Sequence, residues 1–205
     1  MIQKGQLGAA WLVAFITIWL NVPCLWAASP TEQLKTTVNR VLETFSDPEL
    51  QGNAKRTEKR EQLRRIILPR FDFIEMARRS LGNHWQRNPE KQKEFVSAFT
   101  DFLEDSYLSK SELYKNGRIL YVRERLDKDF AEINTKFVQS SGDETSIDYK
   151  LHLVGREWKV YDMLIDNISL VNNYRSQINR ILTTAPMDDL LKKLHEKRAD
   201  SYLTK

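Results

Sequence analysis

The sequence predicts an α+β domain in which helices pack on one face of a four-stranded antiparallel meander. Three observations lead there. Apolar residues recur at helical spacing over residues 34–107, the period falls to two after Asn116-Gly117, and helical spacing returns at Leu170. The connections within the period-two region are too short for crossovers, so neighbouring strands must run antiparallel. Helices that precede and follow a sheet, rather than alternating with its strands, are the α+β pattern.

Ser29-Pro30-Thr31-Glu32 has the spacing of a capping box with proline at the first helical position, and Leu34, Val38, Val41, Leu42 and Phe45 continue it as the stripe of an amphipathic helix. Residues 52–65 are almost all polar and read as a solvated helix face, with apolar residues gathered at Leu63, Ile66, Ile67 and Leu68. In FDFIEMARRSLGNHW, residues 71–85, Asp72 and Glu75 stand as N-cap and N3, Phe71 and Met76 are placed for a hydrophobic staple, and Gly82 can end the helix. The predicted helix runs over about Phe73–Leu81. Phe73, Ile74, Met76, Ala77 and Leu81 cover most of its circumference, so it has to be largely buried. Asn88-Pro89 then opens a longer helix with Phe95, Phe99, Phe102, Leu103 and Tyr107 on one stripe.

Residues 119–126, 130–139, 144–154 and 157–167 read as the strands, joined by Asp127-Lys128-Asp129, Ser141-Gly142-Asp143 and Gly155-Arg156. Glycine at the first central position of Gly155-Arg156 suits a two-residue hairpin that pairs Val154 with Glu157. Continued without interruption, that register sets Leu153 opposite Trp158, Leu151 opposite Val160, Tyr149 opposite Asp162 and Ile147 opposite Leu164 on one face. Asp148, Lys150, His152, Lys159 and Tyr161 fall on the other, which leaves Asp162 as the exception in an apolar row. After the sheet, Leu170, Val171, Tyr174, Ile178, Ile181 and Leu182 mark one helix, and Pro186 opens a second with Leu190, Leu191 and Leu194.

The chain start bears on the compartment. Residues 1–28 combine Lys4, an apolar run over residues 9–20, the breaker Pro23 and small residues at Ala27 and Ala28, the layout of a secretory signal peptide cleaved near Ala27. The run is shorter than the roughly 18–20 apolar residues a membrane span requires. Asn21-Val22-Pro23 before Cys24 lacks the small residues of a lipidation site. Cleavage leaves residues 28–205 as one domain and removes the only cysteine with Trp11, Trp19 and Trp26, so no disulfide framework is available and the core alone must stabilise the fold. The net charge of +4 becomes +3 with the loss of Lys4. A mildly basic surface suits acidic headgroups or nucleic acid, and export argues against nucleic acid.

Two segments, FDFIEMARRSLGNHW and WKVYDMLIDNISLVNNYRSQI (158–178), resemble the signature stretches of the MlaC-type periplasmic phospholipid-binding proteins, the soluble component of the maintenance-of-lipid-asymmetry system, also described as toluene-tolerance auxiliary proteins. The two occur in the expected order with a meander between them, and the signal peptide fits. Asn167 stands where that family leads one to expect glycine, and Ile178 where phenylalanine is expected.

The resemblance implies a monomeric carrier, not an enzyme, that takes phospholipid across the periplasm between an outer-membrane lipoprotein complex and an inner-membrane ABC transporter with a substrate-binding ring. Its only bound molecule would be the phospholipid cargo, with no cofactor and no metal. At about 0.8 kcal/mol per CH₂, exposing two acyl chains to water costs on the order of 20 kcal/mol, so the sheet and helices would have to enclose an apolar lipid cavity. The expected lining is Phe73, Met76, Leu81 and Trp85 with Phe99, Phe102 and Leu103 from the long helix and Tyr149, Leu151, Trp158, Val160 and Leu164 from the sheet. Arg78, Arg79 and Arg175 could meet a phosphate or an acidic partner surface, since guanidinium pairs with phosphate through two parallel hydrogen bonds, or simply form surface ion pairs.

Two other readings stay open. A curved sheet under helices also describes enzymes of the ketosteroid-isomerase type, with Asp162 as base and Tyr149 as acid. A periplasmic interaction protein that binds no lipid is the other. His84, His152 and His195 show no metal-ligand spacing, and no glycine-rich loop is available to cradle a nucleotide.

Overall fold

A computed structural model describes residues 28–108 and 116–196; the expected signal peptide and the side chain of Tyr107 lie outside the described residues. The first helix, α1 (Pro30–Ser46), starts on the expected capping box: the Ser29 hydroxyl accepts from the Glu32 N–H at 3.2 Å and the Ser29 N–H donates to the Glu32 carboxylate at 3.3 Å. Then come α2 (Arg56–Ile67), α3 (Phe73–Leu81), the single turn α4 (His84–Arg87) and α5 (Gln92–Leu108), which a 3₁₀ turn at Pro89–Lys91 introduces. Asp72 caps α3 by accepting from the Glu75 N–H at 2.9 Å, and Gly82 ends it at φ 55°.

The sheet follows in chain order: β1 (Arg118–Asp127), β2 (Phe130–Val138), β3 (Glu144–Val154), β4 (Glu157–Ile165) and a short β5 (Ile168–Ser169), all antiparallel. It therefore has five strands where four are expected. β4 stops at Ile165 because Asp166 and Asn167 adopt φ 46° and 67°, left-handed values that end a strand and suit a two-residue hairpin. This turn returns the chain as β5 against Leu164 and Ile165 and leads into α6 (Leu170–Leu182) and α7 (Met187–Glu196).

Val154 pairs with Glu157 and Leu151 with Val160 as expected, but beyond them the register shifts. Lys150 pairs with Asp162, Tyr149 with Met163, Asp148 with Leu164 and Ile147 with Ile165, so Tyr161 is an extra residue in β4. The pairings expected for Tyr149 with Asp162 and Ile147 with Leu164 do not form. Continued pairing would have left the Asp162 carboxylate in an apolar row. The bulge moves it out, and Met163 and Ile165 take the inward positions beside Tyr149 and Ile147.

The apolar residues form two clusters. α3, α5, α6 and α7 enclose one, around Phe95, Phe99, Tyr174 and Leu190. α1 closes the other against the sheet, around Leu34, Ile133, Leu151 and Val160. Phe71 and Met163 pack against both. The linker from α2 to α3 is tied to β4 here, the Asp72 N–H donating to the Val160 carbonyl and the Val160 N–H to the Arg70 carbonyl, each at 2.8 Å.

Candidate functional site

Between the two clusters lies a cavity in which the centres of water-sized molecules could occupy about 180 Å³. One water requires roughly 10–15 Å³ by this measure, so the space is far beyond a packing defect. α1 lines it with Val38, Val41, Leu42 and Phe45; the sheet with Ile119, Phe137, Ile147, Tyr149, Met163 and Ile165. Ile67, Phe71, Phe73, Met76, Leu103 and Leu170 complete the apolar wall. Among the described residues Arg64 of α2 and Glu104 of α5 are its charged members, and Thr37 adds a hydroxyl.

Four of the residues expected on this wall, Phe73, Met76, Leu103 and Tyr149, line it. The other eight lie elsewhere, each for a physical reason. Phe99 and Phe102 both meet the Tyr174 ring edge-to-face at 5.5 Å, and Phe99 stacks on Phe95 at 5.4 Å, so the phenylalanine stripe of α5 fills the dry core under α6. Leu81 belongs to that core, and Trp85 packs on its edge. Leu151, Trp158 and Val160 are sealed beneath Leu34 of α1. Leu164, displaced by the bulge, pairs with Asp148 outside the cavity row.

What the sequence reasoning passes over is the contribution of α1. Its stripe is plain in the sequence, but nothing there separates Leu34, which is fully buried, from Val38, Val41 and Leu42, which are half-buried along the cavity. Met163 and Ile165 were hidden by the bulge.

Arg78, Arg79 and Arg175 do converge, together with Arg87, Gly82 and Trp85, but in a separate surface pocket that shares none of the described residues with the apolar cavity. Glu75 holds Arg78 through two bonds of 2.6 Å and Arg79 through one of 2.7 Å, and these, Arg78 foremost, pull its carboxyl down to about 2. Arg79 also lies 4.2 Å from the Tyr161 ring centre, a cation–π contact. Among the described residues Arg87 and Arg175 form no ion pair.

The mouth of the cavity is charged differently. Arg64 lines the cavity yet keeps 41% of its side chain exposed, which marks where the cavity reaches solvent. It donates to Glu104 at 3.0 Å and to Asp101 at 3.3 Å. Burial raises the Glu104 carboxyl above its ordinary range despite Arg64 and Arg60 beside it.

Asp162 is neither in the cavity nor bonded to an arginine. Its two oxygens accept from the Ser169 hydroxyl at 2.7 Å and the Val171 N–H at 3.1 Å, at the start of α6. Tyr149, by contrast, faces the cavity opposite Met163. The acid–base pair that an isomerase reading requires is therefore not assembled. No three His, Cys, Asp or Glu side chains come together as metal ligands among the described residues.

Comparison with known proteins adds to this geometry. The family model described as MlaC protein matches residues 35–196. A relative, the intermembrane phospholipid transport system binding protein MlaC of Haemophilus influenzae, is 25% identical over 140 residues, 65% of this chain and 65% of that protein, so the match spans a little under two thirds of the relative. A solved structure of the phospholipid-binding protein from Ralstonia solanacearum, in complex with a phospholipid, superposes with a TM-score of 0.74 at 26% identity, covering 87% of this chain and 100% of that one. Since the matched region runs from within α1 to the end of α7 and takes in the sheet, the helical cluster and the described cavity lining, the chain belongs to the MlaC family.

Proposed function

We propose that the protein is an exported phospholipid carrier that buries acyl chains between α1 and the sheet and works without chemical catalysis. The observation that carries this reading is the cavity: a space of about 180 Å³ walled by aliphatic and aromatic side chains between two tightly packed clusters, with its charged members together at one side. A void of that size costs stability unless something fills it, and an apolar wall favours an apolar occupant. The phospholipid named for the Ralstonia relative and the transport system named for the Haemophilus one support the same occupant.

In this reading the protein resides in the periplasm after loss of residues 1–27 and exchanges lipid with an outer-membrane lipoprotein complex and an inner-membrane ABC transporter. The pocket of Arg78, Arg79, Arg87 and Arg175 would serve as a face for an acidic partner, because it is set apart from the cavity. Native mass spectrometry of the protein purified from the periplasm without detergent tests the proposal. An adduct of phospholipid mass near one per chain is expected. A folded protein that carries none and takes none from vesicles would favour the interaction-protein reading instead.

A further inference from the structure

The arginine pocket is one end of a longer groove. Arg78, Arg79, Arg87 and Arg175 border it with Trp85, and a second pocket, bordered by Leu81, His84, Ser176 and Asn179, adjoins it through Asn83 and Arg175, which belong to both. Together they run from α3 and α4 across to α6. The described lining holds four guanidiniums and no carboxylate.

The four arginines are not equivalent. Glu75 engages Nε and Nη2 of Arg78 and Nε of Arg79, and Arg79 also rests against the Tyr161 ring, so these two are held in place. Arg175 is positioned by Gly82, at φ 55°: a Cβ there would come within 2.8 Å of its Nε, and its absence lets the guanidinium lie against the end of α3. Arg87 and Arg175 are exposed, and among the described residues neither donates a side-chain hydrogen bond or joins an ion pair. Like charges gathered without a counter-charge repel one another, and an entering anion relieves this.

The lining points to a protein as the source of that anion. All four cations are arginine, whose planar fork pairs bidentately with a carboxylate, and they stand beside a half-buried tryptophan. Arginine and tryptophan are the residues that most often anchor protein interfaces. Beyond the charge, the groove continues to the amide and hydroxyl groups of Asn83, Ser176 and Asn179, which suit the backbone of a chain. A single phosphate would leave that half empty, and a bilayer presents a broad surface, not a strand that enters a groove. Resting on the acidic-partner reading above, we infer that the groove binds an extended acidic segment of a partner protein, its carboxylates paired with Arg87 and Arg175 and its backbone against Asn83 and Ser176.

The test titrates the exported protein with capped hexaglutamate. Trp85 and Trp158 are the tryptophans of residues 28–205, and Trp158 is sealed beneath Leu34, so a change in tryptophan fluorescence reports on the groove. A saturable change is expected at low ionic strength, with none from hexaglutamine. Arg87→Gln and Arg175→Gln should each weaken binding about tenfold, the worth of one charge-assisted hydrogen bond. Arg87, exposed on the single turn α4, can be replaced without disturbing the core. Arg123→Gln removes the same charge from an exposed position of β1 and should leave binding at the wild-type level. An equal loss in Arg123→Gln reduces the effect to net charge and overturns the assignment, as does the absence of hexaglutamate binding. Displacement of the peptide by inorganic phosphate, or binding to phosphatidylglycerol vesicles that Arg87→Gln abolishes, also overturns it and leaves an acidic partner of another kind, a free anion or a bilayer. Native mass spectrometry of the same preparation keeps the carrier reading separate: bound phospholipid without peptide binding overturns the groove assignment alone, and peptide binding without phospholipid overturns the carrier reading alone.

Discussion

The Ser169 hydroxyl donates to Asp162 across 2.7 Å and so fastens the end of the sheet to the start of α6. The same hydroxyl accepts from the Asn172 N–H at 3.0 Å as the helix N-cap, and the other Asp162 oxygen takes the Val171 N–H. Negative charge at a helix N-terminus is also favourable to the helix dipole. Asp162→Asn replaces one acceptor oxygen by a donor, which leaves either the Ser169 hydroxyl proton without its acceptor or an amide NH₂ facing the Val171 N–H. A loss of about 2 kcal/mol is expected in denaturant unfolding, with lipid binding retained in the folded fraction. An isomerase base at this position would predict the opposite, unchanged stability and lost turnover.

The bulge that frees Asp162 also marks the limit of what could be read in the sequence. Alternation in β3 and β4 and the Gly155-Arg156 turn fix the pairing near the hairpin, and helix α3 could be bounded from Asp72 and Gly82 because caps are local chemistry. An extra residue in a strand leaves no local mark. The one hint was Asp162 itself, an acid in an apolar row, whose partner could not be found without knowing that α6 starts beside it. In the same way, an apolar stripe does not say whether it faces side chains or a void. Phe99 and Val41 read alike in the sequence, but one fills a core and the other borders the cavity.

Asn167 presents a simpler case. It holds φ 67° in the turn between β4 and β5, a conformation that asparagine tolerates and glycine adopts freely. This accounts for the glycine that the family resemblance leads one to expect there. Asn167→Gly should be neutral to stabilising by up to about 1 kcal/mol, a rise of roughly 2–4 °C in Tm. Asn167→Val should lower Tm, because a β-branched residue is strained at positive φ.

Glu75 couples stability to pH. Its carboxyl is held at about 2 by Arg78 and Arg79, below an ordinary value of 4.5, so its contribution is present above the ordinary value and is lost as pH falls through the folded one. Side-chain exposure of 51% for Arg78 and 36% for Arg79 reduces the effect to about 1 kcal/mol through solvent screening. Glu75→Gln should therefore destabilise the protein at pH 7 and make little difference near pH 2. Unfolding curves of both proteins across this range check it, and an equal gap at both ends would assign the loss to packing instead of charge.

The separation of dry core from cavity wall makes the sharpest demand. Val41 lines the cavity from α1 while remaining half-buried, so a lysine there can extend its ammonium along the wall towards water, at modest cost, while placing charge where the carrier proposal puts the acyl chains. Phe99 is 1% exposed and locked between Phe95 and Tyr174, where a charge has no such route and even Phe99→Ala should cost about 3–5 kcal/mol. Val41→Lys is expected to unfold within a few degrees of the wild-type protein and to carry no phospholipid by native mass spectrometry. Phe99→Lys is expected not to accumulate as a folded protein, and Phe99→Leu to fold with reduced Tm and still carry lipid. If instead Phe99→Leu lost its lipid while Val41→Lys kept it, the tails would have to lie within the α3, α5 and α6 cluster, and the cavity under α1 would not be the lipid site.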